Sequence, residues 1–291
     1  MDGKRVATRI LAECKSYFEQ QSVLGRLVSI CIGDVPETAV YVRNQARGAE
    51  RAGLPFEQIV WDEATTQAEA KQMIQAMNDD PDVLGIILQR PVPDHINIRS
   101  LQSAVHPFKD VEGMNPASIG NIVYSDVALA PCTAAASVEL IRESGLDLQG
   151  LEIVMIGHSE IVGKPAAMML MAEGATVTVC HHMTRSVAMH SRRADVVIVA
   201  VGKAHLVGPD MIKPGAVVID IGINQITDDD GSVRIVGDVD TDAVKSVAGW
   251  ITPVPGGVGP VTVSMLMKNA VVAHERQLAA GWMNLVDDKP G

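Results

Sequence analysis

Aromatic residues are scarce in this sequence: 3 Trp, 3 Tyr and 3 Phe among 291 residues. A packed interior therefore has to come from Val, Ile, Leu, Ala and the 14 Met. No apolar run approaches the ~18 residues needed to span a bilayer, so no membrane partner is expected. The opening Met1-Asp2-Gly3-Lys4-Arg5 leads into a polar amphipathic stretch and lacks the apolar segment of a signal peptide. Cys14, Cys31, Cys132 and Cys180 are widely separated and form no CxxC pair. That argues against a zinc knuckle, leaves no metal site expected, and fits a reducing compartment. An excess of positive charge is also missing, with Lys plus Arg at 24, Asp plus Glu at 35 and a net charge of −11. A nucleic-acid surface would need a strong basic patch against that balance, and the sequence has none. A cytoplasmic enzyme or binding protein is the expectation.

What is present is enough apolar sequence for a sizeable core. A folded chain of 31.0 kDa exposes roughly 12,000 Å², against about 45,000 Å² unfolded. Hydrophobic residues at 47% and charged residues at 20% are ordinary for a globular protein. Short β-branched runs alternate with helical patterns. Strands are expected at 27–32, 58–61 and 84–88, with helices at 37–52, closed by Gly53, and at 66–78, where Thr66 is a candidate N-cap. A loop-rich stretch covers 106–131, and a connecting helix 133–144. The rhythm then restarts, with strands at 152–156, 176–179, 195–200 and 216–221 and a helix at 163–173. A Pro/Gly loop at 252–260 precedes a long helix at 261–277, and residues 287–291 read as frayed. Such βαβ rhythm implies parallel sheets covered by helices. The expected fold is α/β, as two units with a cleft between them.

One segment has the form strand, glycine turn, helix: Ile153-Val154-Met155-Ile156, then Gly157-His158-Ser159-Glu160-Ile161-Val162-Gly163-Lys164-Pro165. That order brings phosphates to the N–H groups at a helix start. The Gly-x5-Gly spacing differs from G-x-G-x-x-G and also fits an ordinary βα turn. The acid expected about 20 residues on, to hold the 2′-hydroxyl of NAD, is absent. Cys180-His181-His182 stand there instead, which favours NADP, although His181 and His182 also read as solvated loop residues.

In the helix at 37–52, Tyr41 and Gln45 differ by only about 40° around the axis and share a face, while Arg43 lies about 200° from Tyr41. Spacing alone favours a Tyr41 that covers a core and a Gln45 that is solvated. Gln89 sits just past an apolar strand, where α/β sheets place ligand-binding groups. Lys109-Asp110-Val111-Glu112-Gly113 adds carboxylates in a loop. Val254-Pro255-Gly256-Gly257-Val258-Gly259-Pro260 is a stiff loop suited to close backbone approach.

These segments occur in order, together with Asp2-Gly3-Lys4, Gly85-Ile86-Ile87-Leu88-Gln89-Arg90-Pro91-Val92-Pro93, Pro131-Cys132-Thr133, Gly237-Asp238-Val239 and Thr252-Pro253. The set resembles the methylenetetrahydrofolate dehydrogenase/cyclohydrolase family over nearly the whole chain. The resemblance implies an N-terminal α/β folate-binding domain at 1–134, completed by a C-terminal helix at 264–291, and a Rossmann-like NAD(P)-binding domain at 135–263. It also implies a homodimer. Folate would be held by Tyr41, Gln89, Pro91, Glu112, Pro255, Gly256 and Gly257, with Tyr41, Gln45, Gln89 and Glu112 at the catalytic positions. NADP, with NAD left open, would be held by Gly157, His158, Ser159, Ile161, Val162, Gly163, Pro165, His181, His182, Ala200, Val201, Gly202, Gly222, Ile223, Asn224 and Thr262.

The departures from the family pattern matter. The family's motif is Tyr-x-x-x-Lys, whereas this chain reads Tyr41-Val42-Arg43-Asn44-Gln45. The lysine is the family's proton-transfer group for hydrolysis, and a neutral amide cannot take that role. Hydride transfer needs alignment rather than a proton shuttle. The expectation is a dehydrogenase oxidising 5,10-methylenetetrahydrofolate, with cyclohydrolase activity lost or weak. A bifunctional enzyme making 10-formyltetrahydrofolate, or a catalytically silent folate/NADP-binding paralogue, are the alternatives. Glu112 replaces the family's Asp at the pterin's donor edge, and Arg90 replaces Leu. His158 stands in place of an arginine, and His182 in place of a serine.

Overall fold

The computed structural model describes residues 2–21, 23, 25–228 and 231–282. Residues 287–291, expected to fray, and the last part of the expected 264–291 helix lie outside the described residues. The chain divides into two compact units. One holds Arg9–Asn121, Asp126–Ala130 and Val263–Gly291; the other holds Met1–Thr8, Ile122–Ser125 and Pro131–Thr262.

The first unit is built on three strands. Helix α1 (Gly3–Gln20), most of which belongs here, buries Ile10, Leu11, Cys14 and Phe18 at helical spacing. Then follow β1 (Arg26–Ile32), α2 (Ala39–Ala52), β2 (Phe56–Trp61), α3 (Gln67–Asp79), β3 (Val83–Leu88), α4 (Ile98–Gln102) and the start of α5 (Pro116–Val123). The strands are parallel in the order β2-β1-β3. All six residues of β3 are buried, as a central parallel strand requires. Gly53, left-handed at φ 78°, closes α2. Thr66 caps α3 in a full capping box with Glu69. The core joins Val28, Ile30, Ile86 and Leu88 to Ile74 and Leu101.

The second unit contains α6 (Cys132–Arg142), β4 (Glu152–Ile156), α7 (Gly163–Ala172), β5 (Thr176–Cys180), α8 (Val187–Ser191), β6 (Val196–Val199) and β7 (Val217–Asp220). It continues with β8 (Asn224–Thr227), β9 (Val233–Val236), α9 (Thr241–Val244), β10 (Trp250–Ile251) and the start of α10 (Val258–Ala279). Five parallel strands lie in the order β10-β7-β6-β4-β5, and β8 and β9 form a separate antiparallel hairpin. Its core is again aliphatic, with Val154, Ile156, Val197, Val199 and Val218 at its centre.

The structure departs from the expected pattern in several places. The 106–131 stretch contains α5, which starts at Pro116 with the Asn115 side chain accepting from Ala117 N–H at 2.7 Å. Proline at a first helical position is favourable because its missing N–H has no helical partner there. For the same reason α10 begins at Val258 and takes Gly259-Pro260 into its first turn. Residues 131–134 and the opening residues to Thr8 group with the five-strand unit rather than with an N-terminal domain at 1–134. Close packing explains the second shift: a Cβ on Gly3 would fall 1.8 Å from the carbonyl oxygen of Gly257.

Candidate functional site

In each of the two parallel sheets the strand order reverses once, and the carboxyl ends of the strands at the reversal are where open α/β sheets hold ligands. In the three-strand sheet the reversal lies between β1 and β3. Gln89 follows β3 directly, is buried, and its N–H donates to Ile30 carbonyl at 2.9 Å. Its side-chain amide donates to Ser29 Oγ at 3.0 Å and to Gln45 Oε1 at 2.6 Å. Gln45 is thus held by Gln89 rather than merely solvated. Tyr41, one turn earlier on α2, is 57% exposed. Ser29 was missed from sequence, although a serine inside the apolar run Leu27-Val28-Ser29-Ile30-Cys31-Ile32 is the mark of a polar task there. No group in this three-residue network titrates near neutrality.

Glu112 supplies the titratable group of the same strand end. Its carboxylate accepts from Leu88 N–H at 2.8 Å. Burial pushes this carboxyl up to about 7, with nearby Asp110 adding to the rise, while the Leu88 N–H and Arg90 oppose it. The rest of the Lys109–Gly113 loop is structural. Lys109 is buried, with Nζ donating to the carbonyls of Met77 at 2.9 Å and Asp80 at 2.6 Å. Asp110 holds its own turn, accepting from Met114 N–H, Asn115 N–H and Ser118 Oγ. Arg90 and Pro91 follow Gln89, the former exposed.

In the five-strand sheet the reversal lies between β4 and β6. Gly157 ends β4 at φ 119°, and a Cβ there would fall 2.2 Å from the carbonyl oxygen of Ala200, the residue after β6. A Cβ on Gly163, at the start of α7, would fall 2.2 Å from the carbonyl oxygen of Gly157. Both glycines are thus required for the turn to close. Ser159 Oγ accepts from Val162 N–H at 3.2 Å and Gly163 N–H at 3.4 Å, fixing the turn from inside. Val162 and Pro165 are buried, and Ile161 is partly exposed. A glycine turn at a switch point, opening onto a helix start, fits a dinucleotide.

Three imidazoles stand beside it. The rings of His158 and His181 stack at 4.7 Å, and His182 lies 6.1 Å from His158 and 5.9 Å from His181. Their ligand atoms lie within 4.8 Å of one another, a spacing open to a metal ion. The tautomer of His181 points elsewhere. Met183 N–H donates to His181 Nδ1 at 3.1 Å, so the neutral ring carries its proton on Nε2 and acts as a donor. His181 Nε2–H, beside two further imidazoles with no carboxylate partner among the described residues, suits an anion such as a phosphate.

The other expected positions follow β6 and β7. Val201 and Gly202 lead out of β6, and their N–H groups donate to Asp238. Gly222, Ile223 and Asn224 follow β7, with Asn224 Nδ2 donating to the same carboxylate at 2.9 Å. Asp238 was not among the expected site residues, although its motif was noticed. Gly256 takes φ 104°, and a Cβ on Gly257 would fall 2.6 Å from Pro253 carbonyl, so the loop through Pro255 is bare backbone by necessity. Thr262 sits on α10, its hydroxyl donating to Val258 carbonyl at 3.2 Å.

Two family models match the chain. The tetrahydrofolate dehydrogenase/cyclohydrolase catalytic domain covers residues 1–112, and the tetrahydrofolate dehydrogenase/cyclohydrolase NAD(P)-binding domain covers residues 131–278. The chain is 78% identical over 280 residues to a protein of Roseobacter denitrificans named bifunctional protein FolD 3, spanning 96% of this chain and 97% of that protein. Among solved structures, it is similar to the bifunctional FolD methylenetetrahydrofolate dehydrogenase/cyclohydrolase of Campylobacter jejuni. The TM-score there is 0.90 at 37% identity, over 95% of this chain and 98% of that one. The Trypanosoma brucei FolD in complex with NADP cofactor and inhibitor gives 0.87 at 35% identity, over 96% and 97%.

Proposed function

The chain belongs to the tetrahydrofolate dehydrogenase/cyclohydrolase family, and from that premise we propose that it carries out both reactions with NADP⁺. It would oxidise 5,10-methylenetetrahydrofolate to the 5,10-methenyl cation and then hydrolyse that cation to 10-formyltetrahydrofolate. The observation that carries this reading is the Gln45–Gln89–Ser29 network at the strand end of the three-strand sheet. The expectation of a lost hydrolytic step rested on Gln45 alone. The bifunctional name of a relative 78% identical favours retention of both steps.

The first step asks little of a proton-transfer group. When bound, NADP⁺ supplies the hydride acceptor. A neutral amide network places no cation against the positive charge that develops on the folate, and it holds the reacting carbon's surroundings in one geometry. Glu112, as carboxylate, would accept from the N–H groups of the pterin's donor edge, while Tyr41 and Pro91 would add folate contacts. In the second step water bonds to the bridging carbon, the bond from that carbon to N5 breaks with its electron pair going to N5, and one proton is released overall. The Gln45 and Gln89 amides can orient that water without accepting its proton. Hydrolysis is therefore the slower half.

NADP is preferred to NAD because the strand end after β5 offers His181 and His182, with His158 beside them, and no carboxylate to repel a 2′-phosphate. Gly157, Ser159, Ile161, Val162, Gly163 and Pro165 would hold the diphosphate turn, with Ala200, Val201, Gly202, Gly222, Ile223, Asn224 and Thr262 towards the rest of the dinucleotide. A homodimer is part of the proposal. β5 is an edge strand with Val179 partly exposed, and Met168 and Met171 are exposed on α7. The four free cysteines suit the cytoplasm.

The test supplies purified protein with 5,10-methylenetetrahydrofolate and either NADP⁺ or NAD⁺. Reduced nicotinamide with NADP⁺ in preference to NAD⁺, followed by 10-formyltetrahydrofolate above the spontaneous rate, supports the proposal. Ligand binding without turnover would sink it.

A further inference from the structure

We propose that Asp238 is a positioning residue for the nucleotide site, holding the segments after β6 and β7 in one arrangement so that they receive the uncharged nicotinamide end of the dinucleotide. The inference rests on the NADP reading above.

Asp238 is fully buried and gathers four donors. Its Oδ2 accepts from Val201 N–H at 2.7 Å and Gly202 N–H at 3.0 Å. Its Oδ1 accepts from Lys203 N–H at 2.8 Å and from the Asn224 amide at 2.9 Å. Asp220, the last residue of β7, stands behind it and is also buried. The Asp220 carboxylate accepts from Gly222 and Asp238 N–H on one oxygen, at 2.9 and 3.0 Å, and from Val239 N–H on the other at 2.9 Å. Backbone wraps the pair without space to spare. A Cβ on Gly222 would fall 2.3 Å from Asp238 Cγ, and one on Gly237 would fall 1.8 Å from Asp220 Oδ2.

Three consecutive N–H groups converging on one point form a concavity of the kind that binds anions. Here the protein fills it with its own carboxylate. The backbone N–H groups of 201–203 are therefore closed to phosphate, and backbone recognition of phosphate falls to the Gly157 turn. Apart from the exposed Lys203 side chain, the segment has carbonyl oxygens and the Val201 side chain left to offer. Those groups match a carboxamide NH₂ and a ring face. Asp220 N–H also donates to Thr252 Oγ at 2.8 Å, which ties the start of the Pro253–Gly257 loop to the same carboxylate pair.

The experiment compares the full-length protein with Asp238→Asn, an isosteric change that sets an NH₂ against N–H donors. Binding is measured by calorimetry with NADP⁺ and with adenosine 2′,5′-bisphosphate, which carries the adenine end and the 2′-phosphate but no nicotinamide. The Kd for NADP⁺ rises about tenfold or more, as loss of a buried acceptor for backbone donors predicts, while the Kd for the bisphosphate stays within about twofold. The KM for NADP⁺ rises in parallel. Equal weakening of both nucleotides, or of neither, overturns the positioning role. A wild-type protein that binds neither ligand brings down the NADP reading and this inference with it. Should Asp238→Asn not fold, amide hydrogen exchange on the wild type decides. Val201, Gly202 and Lys203 N–H should exchange about 100-fold or more below free-peptide rates, and free-peptide rates would overturn the clamp.

Discussion

At the end of β3 the chain presents side chains: Gln89 tied to Ser29 and Gln45, with Glu112 beside them. At the end of β4 it presents backbone: Gly157 against Ala200, Gly163 against Gly157, and a segment after β6 held by Asp238. Both places are strand-order reversals in parallel sheets, yet one is furnished by residue identity and the other by the absence of side chains. The first can change its chemistry through one substitution and keep its shape. The second tolerates no methyl group at Gly157 or Gly163 but carries little chemistry of its own.

Gly157→Ala breaks the backbone-built end with the largest effect. A Cβ at φ 119° costs of the order of 1–3 kcal/mol in backbone strain before its clash with Ala200 is counted. NADP⁺ affinity, measured by calorimetry, should fall about 100-fold or more, with a lower melting temperature. Gly202→Ala is the contrast. Its φ is also left-handed, but nothing lies within 4 Å of the new Cβ, so about 1 kcal/mol of strain is the whole effect.

Gln45→Lys probes the side-chain-built end. Introducing a proton-transfer group should raise the rate of methenyltetrahydrofolate hydrolysis about 100-fold and leave hydride transfer within a few-fold. Equal changes in both half-reactions would remove the distinction drawn between them.

Glu112 adds a pH dependence. Its carboxyl is raised from 4.5 to about 7, so the free protein carries it half-protonated near neutrality. Only the carboxylate accepts from the pterin's donor edge. Folate affinity is therefore complete above that pH and falls about tenfold for each pH unit below it. Glu112→Gln should bind more weakly at pH 8 and lose this slope. The same raised value makes the folded protein bind the proton more tightly than the unfolded chain. This carboxyl's contribution to stability is therefore greatest below about 4.5 and is lost as pH rises through about 7.

Thr66→Ala has the smallest effect. It removes the capping box of α3, away from both strand ends. About 1 kcal/mol of stability should be lost, read in the melting temperature, with both half-reactions unchanged.

Much of this was legible in the sequence where it rested on local patterns. Gly53, Thr66, the β3 run with Gln89 after it, and the shared face of Tyr41 and Gln45 follow from helix period, caps and strand ends. The pairing of Gln45 with Gln89 spans 44 residues and that of Asp238 with Val201 spans 37. No local pattern encodes either. Helix α5 was hidden by the Pro, Gly and Asn around it, although Asn115-Pro116 is itself a helix-start signal. The hairpin β8–β9 was missed because its strands are four residues each and mostly exposed.

One time course bears most directly on the contrast between the two strand ends. Protein, 5,10-methylenetetrahydrofolate and NADP⁺ are mixed, and reduced nicotinamide and the methenyl species are followed together. Fast hydride transfer ahead of unassisted but oriented hydrolysis predicts that the methenyl species builds up and then decays faster than in buffer. Decay at the buffer rate, or no build-up at all, would contradict it.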